Sequence, residues 1–198
     1  MKHFFTLICI LFISTILYSQ SGKIKYNTQI GVYLAEVPKD KVDFITQMVN
    51  YAKKQEYELA FNKNKSSFKF VKNMNSNPDF NQNMENIARS AFTSSSDFYF
   101  DYQIEKGIQQ KTDGILIENK TEKPIWKITT ESKSIATYLS YKAIHDIAFT
   151  NRKGEEKHKE IIAWFAPSLP YAIGPKGYYG LPGLIFRTYR KCYNFFCS

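Results

Sequence analysis

The sequence predicts a mainly β (α+β) fold: a curved antiparallel sheet or partial barrel with one N-terminal helix packed on it. Three observations predict it. Most of the chain falls into short runs of alternating apolar residues, rich in β-branched and aromatic side chains. Turn-forming residues recur between those runs, with no strand–helix–strand alternation and no internal repeat. One early segment alone carries a clear helical period.

The elements follow in order. Lys2 and His3 precede the apolar run FFTLICILFISTILY, after which polarity rises at once. That is the layout of a secretory signal peptide over residues 1–19, cut after Ser19 or between Gln20 and Ser21. The run is about 15 residues long, short of the roughly 20 that span a bilayer, so no membrane span is expected after cleavage. Residues 20–198 then read as a single domain. Lys23 to Leu34 alternates as a first strand. From Lys39 to Gln55, Val42, Ile45, Met48, Val49 and Ala52 recur at helical spacing. EYELAFN and SSFKFVK, joined by NKNK, predict a hairpin. Residues 73–96 are polar and read as a long surface excursion with a turn or two of helix at MENIARSAF. Short strands follow at 97–104, 114–119 and 124–129, then one longer alternating run from Ser134 to Phe149. Gly154 marks a turn, EIIAWFAP a strand halted by Pro167, and LIFRTYR a last strand.

Composition narrows the function classes. The chain has 198 residues, 43% of them hydrophobic, enough for a packed core and unlike a disordered chain. Its net charge is +9, but acids are interleaved with the lysines (KDKVD, RKGEEKHKE). With no basic block or stripe, a mixed solvated surface is expected and nucleic acid is not an expected partner. Only Cys192 and Cys197 remain after leader removal, too few for a disulfide framework or a zinc site. They pair locally or stay as thiols. His145 and His158 are thirteen apart, without the spacing of a ligand pair, so no metal or cofactor is expected. There is no G-x-S-x-G elbow for a serine nucleophile. Asp97 and Asp101 share one parity of a strand beside Phe98, Tyr99, Phe100 and Tyr102. Those carboxylates are the candidates for a hydrolase, set against an ordinary half-exposed strand.

Residues 174–183 read GPKGYYGLPG, with glycine at every third position. Three triplets cannot sustain a collagen helix. Lys176 is followed by Gly177, and a strand follows Gly183, so a phosphate cradle is excluded. A stiff, turning segment laid over the sheet remains, anchored by Tyr171, Tyr178, Tyr179, Leu181 and Leu184. Gly174, Gly177, Tyr178, Tyr179, Gly180, Leu181, Pro182 and Gly183 are its candidate binding residues.

GYYGLPGLI (177–185) resembles the signature of the GLPGLI family of exported Bacteroidetes proteins. WFAPSLPYAIGPKGYYGLPGLI extends the likeness upstream, and WKITTESKSIATYLSYKA (126–143) is similar to the family's W-x-I-x-x-E-x-K-x-I-x-x-Y-x-x-x-K-A stretch. YELAFNKNKSSF resembles its N-terminal hairpin. Members usually carry cysteine where this chain has Ser140, so no disulfide carries over. Members also continue in further strands where this chain gives FRTYRKCYNFFCS. The resemblance therefore implies a truncation or frameshift near Phe186, with ordinary divergence as the other account. It implies export and a β-rich fold, and no biochemical activity. The expectation is an exported, non-enzymatic module in the periplasm, at the outer membrane or secreted. It would bind an apolar ligand or an envelope protein. A carboxylate-dependent hydrolase and a truncated remnant without function are the alternatives.

Overall fold

The computed structural model of the chain describes residues 21–32, 37–72, 78, 80–120, 123–190 and 196–197. The leader assigned to residues 1–19, Cys192 and the side chain of Cys197 lie outside them.

The fold is mainly β and wholly antiparallel, and it is built as two main sheets that do not close into a barrel. The first has six strands in the order β1 (Gly22–Asn27), β3 (Glu56–Phe61), β4 (Lys65–Phe70), β5 (Ser96–Asp101), β6 (Lys106–Lys111) and β7 (Leu116–Lys120). The second has four, in the order β11 (Leu184–Arg190), β10 (Glu156–Ala166), β9 (Tyr138–Thr150) and β8 (Lys127–Ile135). A two-residue pairing joins β2 (Gly31–Val32) to β12 (Phe196–Cys197).

Several turns form where the sequence places them. In the β3–β4 hairpin the Asn62 side chain accepts from Asn64 N (3.0 Å) and Lys65 N (2.8 Å), which closes the loop from within. Asn151 does the same for Lys153 N and Glu155 N around Gly154. Helix α1 (Val42–Lys53) buries Met48, Val49 and Ala52, the stripe its periodicity marks.

Three expectations need correction. The polar stretch before β5 holds a second helix, α2 (Gln82–Phe92), capped by the Asn81 side chain accepting from Met84 N at 3.1 Å. Ala88 and Phe92 pack against Met48, Val49 and Ala52 of α1, so the two helices bury each other's apolar stripes. The run from Ser134 to Phe149 is two strands, turned back at Ala136 and Thr137, both at positive φ. A two-residue hairpin turn demands that geometry, but asparagine and glycine are its usual signal. The first strand stops at Asn27.

What holds the two sheets together is the segment between β10 and β11. Tyr57, Leu59, Phe61 and Phe68 of the first sheet pack on Ile173 and Leu184. Ala143, Ala163 and Phe165 of the second pack on Leu181 and Ile185. The strap therefore sends side chains both ways and fills the space between the sheets. Tyr26 ties it down by donating to Ile185 O at 2.6 Å.

This interior is rich in phenols held neutral. Burial pushes the Tyr26 hydroxyl far above its ordinary value and pushes Tyr102 up to about 12, while Tyr57 and Tyr179 are raised as well. Each raised pKa means that the folded state favours the protonated form. That stability is fully present below about pH 10, where the unfolded chain is also protonated, and is lost as pH rises toward the folded values. We expect the urea midpoint to fall steadily above about pH 10, with tyrosinate absorbance of the buried phenols appearing only on unfolding. Free titration of every tyrosine near pH 10 with the fold intact would contradict the burial assigned to them.

Candidate functional site

The structure buries Gly174, Tyr179, Leu181 and Gly183 of the glycine-rich stretch and half-buries Gly177, Tyr178 and Gly180. Of residues 174–183 only Pro182 is exposed. Tyr179 lies against Phe100 and Tyr102 of the first sheet, with ring centroids at 4.8 and 5.4 Å. Tyr178 turns the other way, toward Trp126, whose indole N–H donates to Tyr179 O at 2.8 Å. Gly180 N bonds Ala172 O and Ile185 N bonds Ile173 O, so the strap also pairs with itself. Gly180 sits at φ +90, a region side chains avoid, and Gly174 faces the Ile185 side chain with no room for a Cβ. Several of these side chains join the sheets, while Pro175, Lys176 and Tyr178 line two concavities of about 340 and 300 Å³.

An open concavity lies elsewhere, across the outward face of the six-stranded sheet. Pairing aligns Ala60, Ser67, Tyr99, Ile108 and Glu118 in one row across five strands. They are the strand positions that point away from the core, because Leu59, Phe68 and Phe98 face the other way. The row floors a groove of about 710 Å³ that also takes in Ile104, Lys65, Asp101 and Lys106. Ile104 is 62% exposed at its end. The Tyr99 ring forms part of the floor, with the Lys69 ammonium 4.9 Å from its centre and its hydroxyl donating to Gln110 at 3.2 Å.

The electrostatics of this groove are closed. Lys65 pairs with Asp101 at 3.2 Å, and Lys106 with Glu118 at 2.7 Å, whose hydrogen bond holds the Lys106 ammonium above its ordinary value. The groove thus offers a floor with Tyr99 and Ile108 as its apolar surface, one serine hydroxyl (Ser67) and a rim of paired charges, while the Ser66 hydroxyl is bonded to Tyr102 at 2.6 Å on the core side. That suits a neutral, amphipathic molecule, since a charged ligand would have to break a pair.

The two carboxylates singled out from the sequence are held apart. Four strand residues separate them by about 13 Å along β5. Asp97 receives Arg89 at 2.7 Å and the Phe70 amide at 3.1 Å, while Asp101 faces Lys65. His145 contacts Ile125 O at 2.9 Å and His158 pairs with Asp146 at 2.7 Å on the surface. Among the described residues no three His, Cys, Asp or Glu side chains gather as metal ligands, and no helix is long and apolar enough to cross a membrane.

A family model described as a protein of unknown function (Porph_ging) matches residues 148–187, from the end of β9 through β10 and the strap into β11. No curated protein and no solved structure matches the chain. The matched stretch includes the strap but not the groove, whose residues are Ser21 and positions between 60 and 118. Sequence reasoning missed the groove because β6, KGIQQK, has a lone apolar residue, Ile108, and no alternation to reveal it.

Proposed function

We propose that the chain is an exported, non-enzymatic binding module of the cell envelope, related to the GLPGLI proteins its sequence resembles. Its seat for a neutral amphipathic ligand is the groove of the six-stranded sheet. One observation carries this reading: a groove of about 710 Å³ with an apolar floor and a fully paired charged rim. Its volume falls within the range of small-molecule sites. The occupation of Asp97 and Asp101 by cations supports a non-catalytic role for both. The leader pattern at residues 1–19 supports export.

The test uses a neutral, environment-sensitive dye as probe. Wild-type protein should bind it saturably, and Ile108→Glu should weaken binding by about tenfold or more with an unchanged melting temperature. Ile108 points outward, so a charge there enters the groove rather than the core. Absent binding, or binding indifferent to Ile108→Glu, would overturn the reading. A protein ligand is the second reading, favoured by β7. It is the outer strand of its sheet, with Ile115 and Leu116 exposed, and could accept a partner's strand. Leu116→Lys should then abolish partner binding and spare the dye.

A further inference from the structure

The four-stranded sheet has a face that the strap does not cover. On β10, Ala163 and Phe165 pack toward Leu181, so Trp164 between them points to the opposite side. Register brings three cations to it. Lys142 of β9 and Arg187 of β11 are its direct cross-strand neighbours, and Lys133 of β8 stands beside Ser140, two residues from Lys142 on the same face. The Lys133 ammonium sits 3.8 Å from the centre of the Trp164 ring.

This arrangement is uncompensated in two ways. Glu131 satisfies Lys142 at 2.6 Å, but Lys133 and Arg187 have no carboxylate partner among the described residues. Desolvation, then Arg187, then Lys142 lower the Lys133 pKa, so the surroundings oppose the charge they hold. The Trp164 indole N–H is the second: the residue is only 6% exposed and its nitrogen has no acceptor among the described residues. A buried donor without an acceptor is destabilising. A structural cation–π contact accounts for the amine above the ring. It accounts neither for gathering further positive charge around it nor for the orphaned indole N–H.

A single chemical group answers both: one that is negatively charged and accepts hydrogen bonds. We propose that Lys133, Arg187 and Trp164 form a binding site for a small oxyanion, a phosphate or a carboxylate, on the outer face of the four-stranded sheet. Lys133 supplies an ammonium, Arg187 an exposed guanidinium fork suited to paired oxygens and set 5.4 Å from the centre of the Tyr189 ring, and Trp164 a neutral donor. Glu131 restrains Lys142, which leaves two cations for the anion. The lysine chain covers the indole, so the anion enters as that chain swings aside. The site is thereby limited to small ligands rather than polymers. It is separate from the groove, which lies on the other sheet.

The test titrates the full chain with inorganic phosphate and, separately, with acetate, against sodium chloride at matched ionic strength. Thermal shift and tryptophan fluorescence are the readouts. At least one oxyanion should raise the melting temperature saturably and change the emission, and its identity distinguishes phosphate from carboxylate. Lys133→Met and Arg187→Gln should each weaken that response about tenfold. Without anion, Lys133→Met should melt at or above the wild-type temperature, because it removes a desolvated charge from like-charged neighbours. A saturable response in wild type that both variants lose, with stability retained, establishes the site. No response beyond the chloride control, a response unchanged in both variants, or a lower melting temperature for unliganded Lys133→Met would each overturn it. The last would mark the amine as a structural contact.

Discussion

Gly183→Ala is expected to abolish stable folding. A Cβ on Gly183 would lie 2.2 Å from Ala166 O, 2.6 Å from Ala166 C and 2.9 Å from Pro167 Cα. All three are backbone atoms, so no side chain can rotate to make room. The backbone cannot yield cheaply either. Ala166 pairs with Leu184 at the start of β11, and the neighbouring Leu184 and Ile185 anchor the strap to opposite sheets. Displacing it would open both interfaces together. A cost of about 4 kcal/mol or more is expected, a large part of the total stability of a domain of this size. Gly177→Ala is the control. Gly177 has φ +76 but nothing within 4 Å of the added methyl group, so it carries backbone strain alone, about 1–2 kcal/mol. Urea denaturation followed by circular dichroism compares them. Equal stability of the two variants would show that the Gly183 contact is relaxed elsewhere.

Asp97→Ala is the second large effect, about 3 kcal/mol of lost stability. The Arg89 side chain is 7% exposed, and its guanidinium is held by Asp97 Oδ1 at 2.7 Å, by Ser94 O at 2.7 Å and over the Phe70 ring at 4.7 Å. Removing the carboxylate leaves a nearly buried cation without its counter-charge. It also strips the Phe70 amide of its acceptor. Adding Arg89→Met to that variant removes the stranded charge, so the double variant should lose less than the sum of the single losses. Strict additivity in chemical denaturation would mean that the two groups do not interact. The pair pins α2 to the edge of the β4–β5 ladder, a structural use for a carboxylate that the sequence also offered to catalysis.

How much of this was readable before folding differs element by element. Helix α1 was legible because Met48, Val49 and Ala52 recur on one stripe, and burial of that stripe is what the period encodes. The Asn62 and Asn151 turns were legible because a short amide side chain bonds its own backbone locally. Helix α2 was obscured by its polar surface and by Arg89, a charged residue buried only because Asp97 waits on another element. The Ala136–Thr137 turn carries no local signal, since neither residue prefers positive φ and the paired strands on either side impose it. The sites were less legible still. The groove's floor is drawn from β3, β4, β5, β6 and β7, and the Trp164 site from β8, β9, β10 and β11.

The sequence by itself determined the β-rich class, the early helix, most turns, and the stiff path from Gly174 to Gly183. Each of these depends on periodicity or on the conformational range of a few adjacent residues, which linear order contains. Tertiary structure alone decided that this path joins the two sheets. It also decided which outward side chains meet in a groove and which cations converge on Trp164. Those outcomes depend on strand register and on which face of each sheet the strap covers, and such long-range pairings leave no mark in any local stretch of the chain.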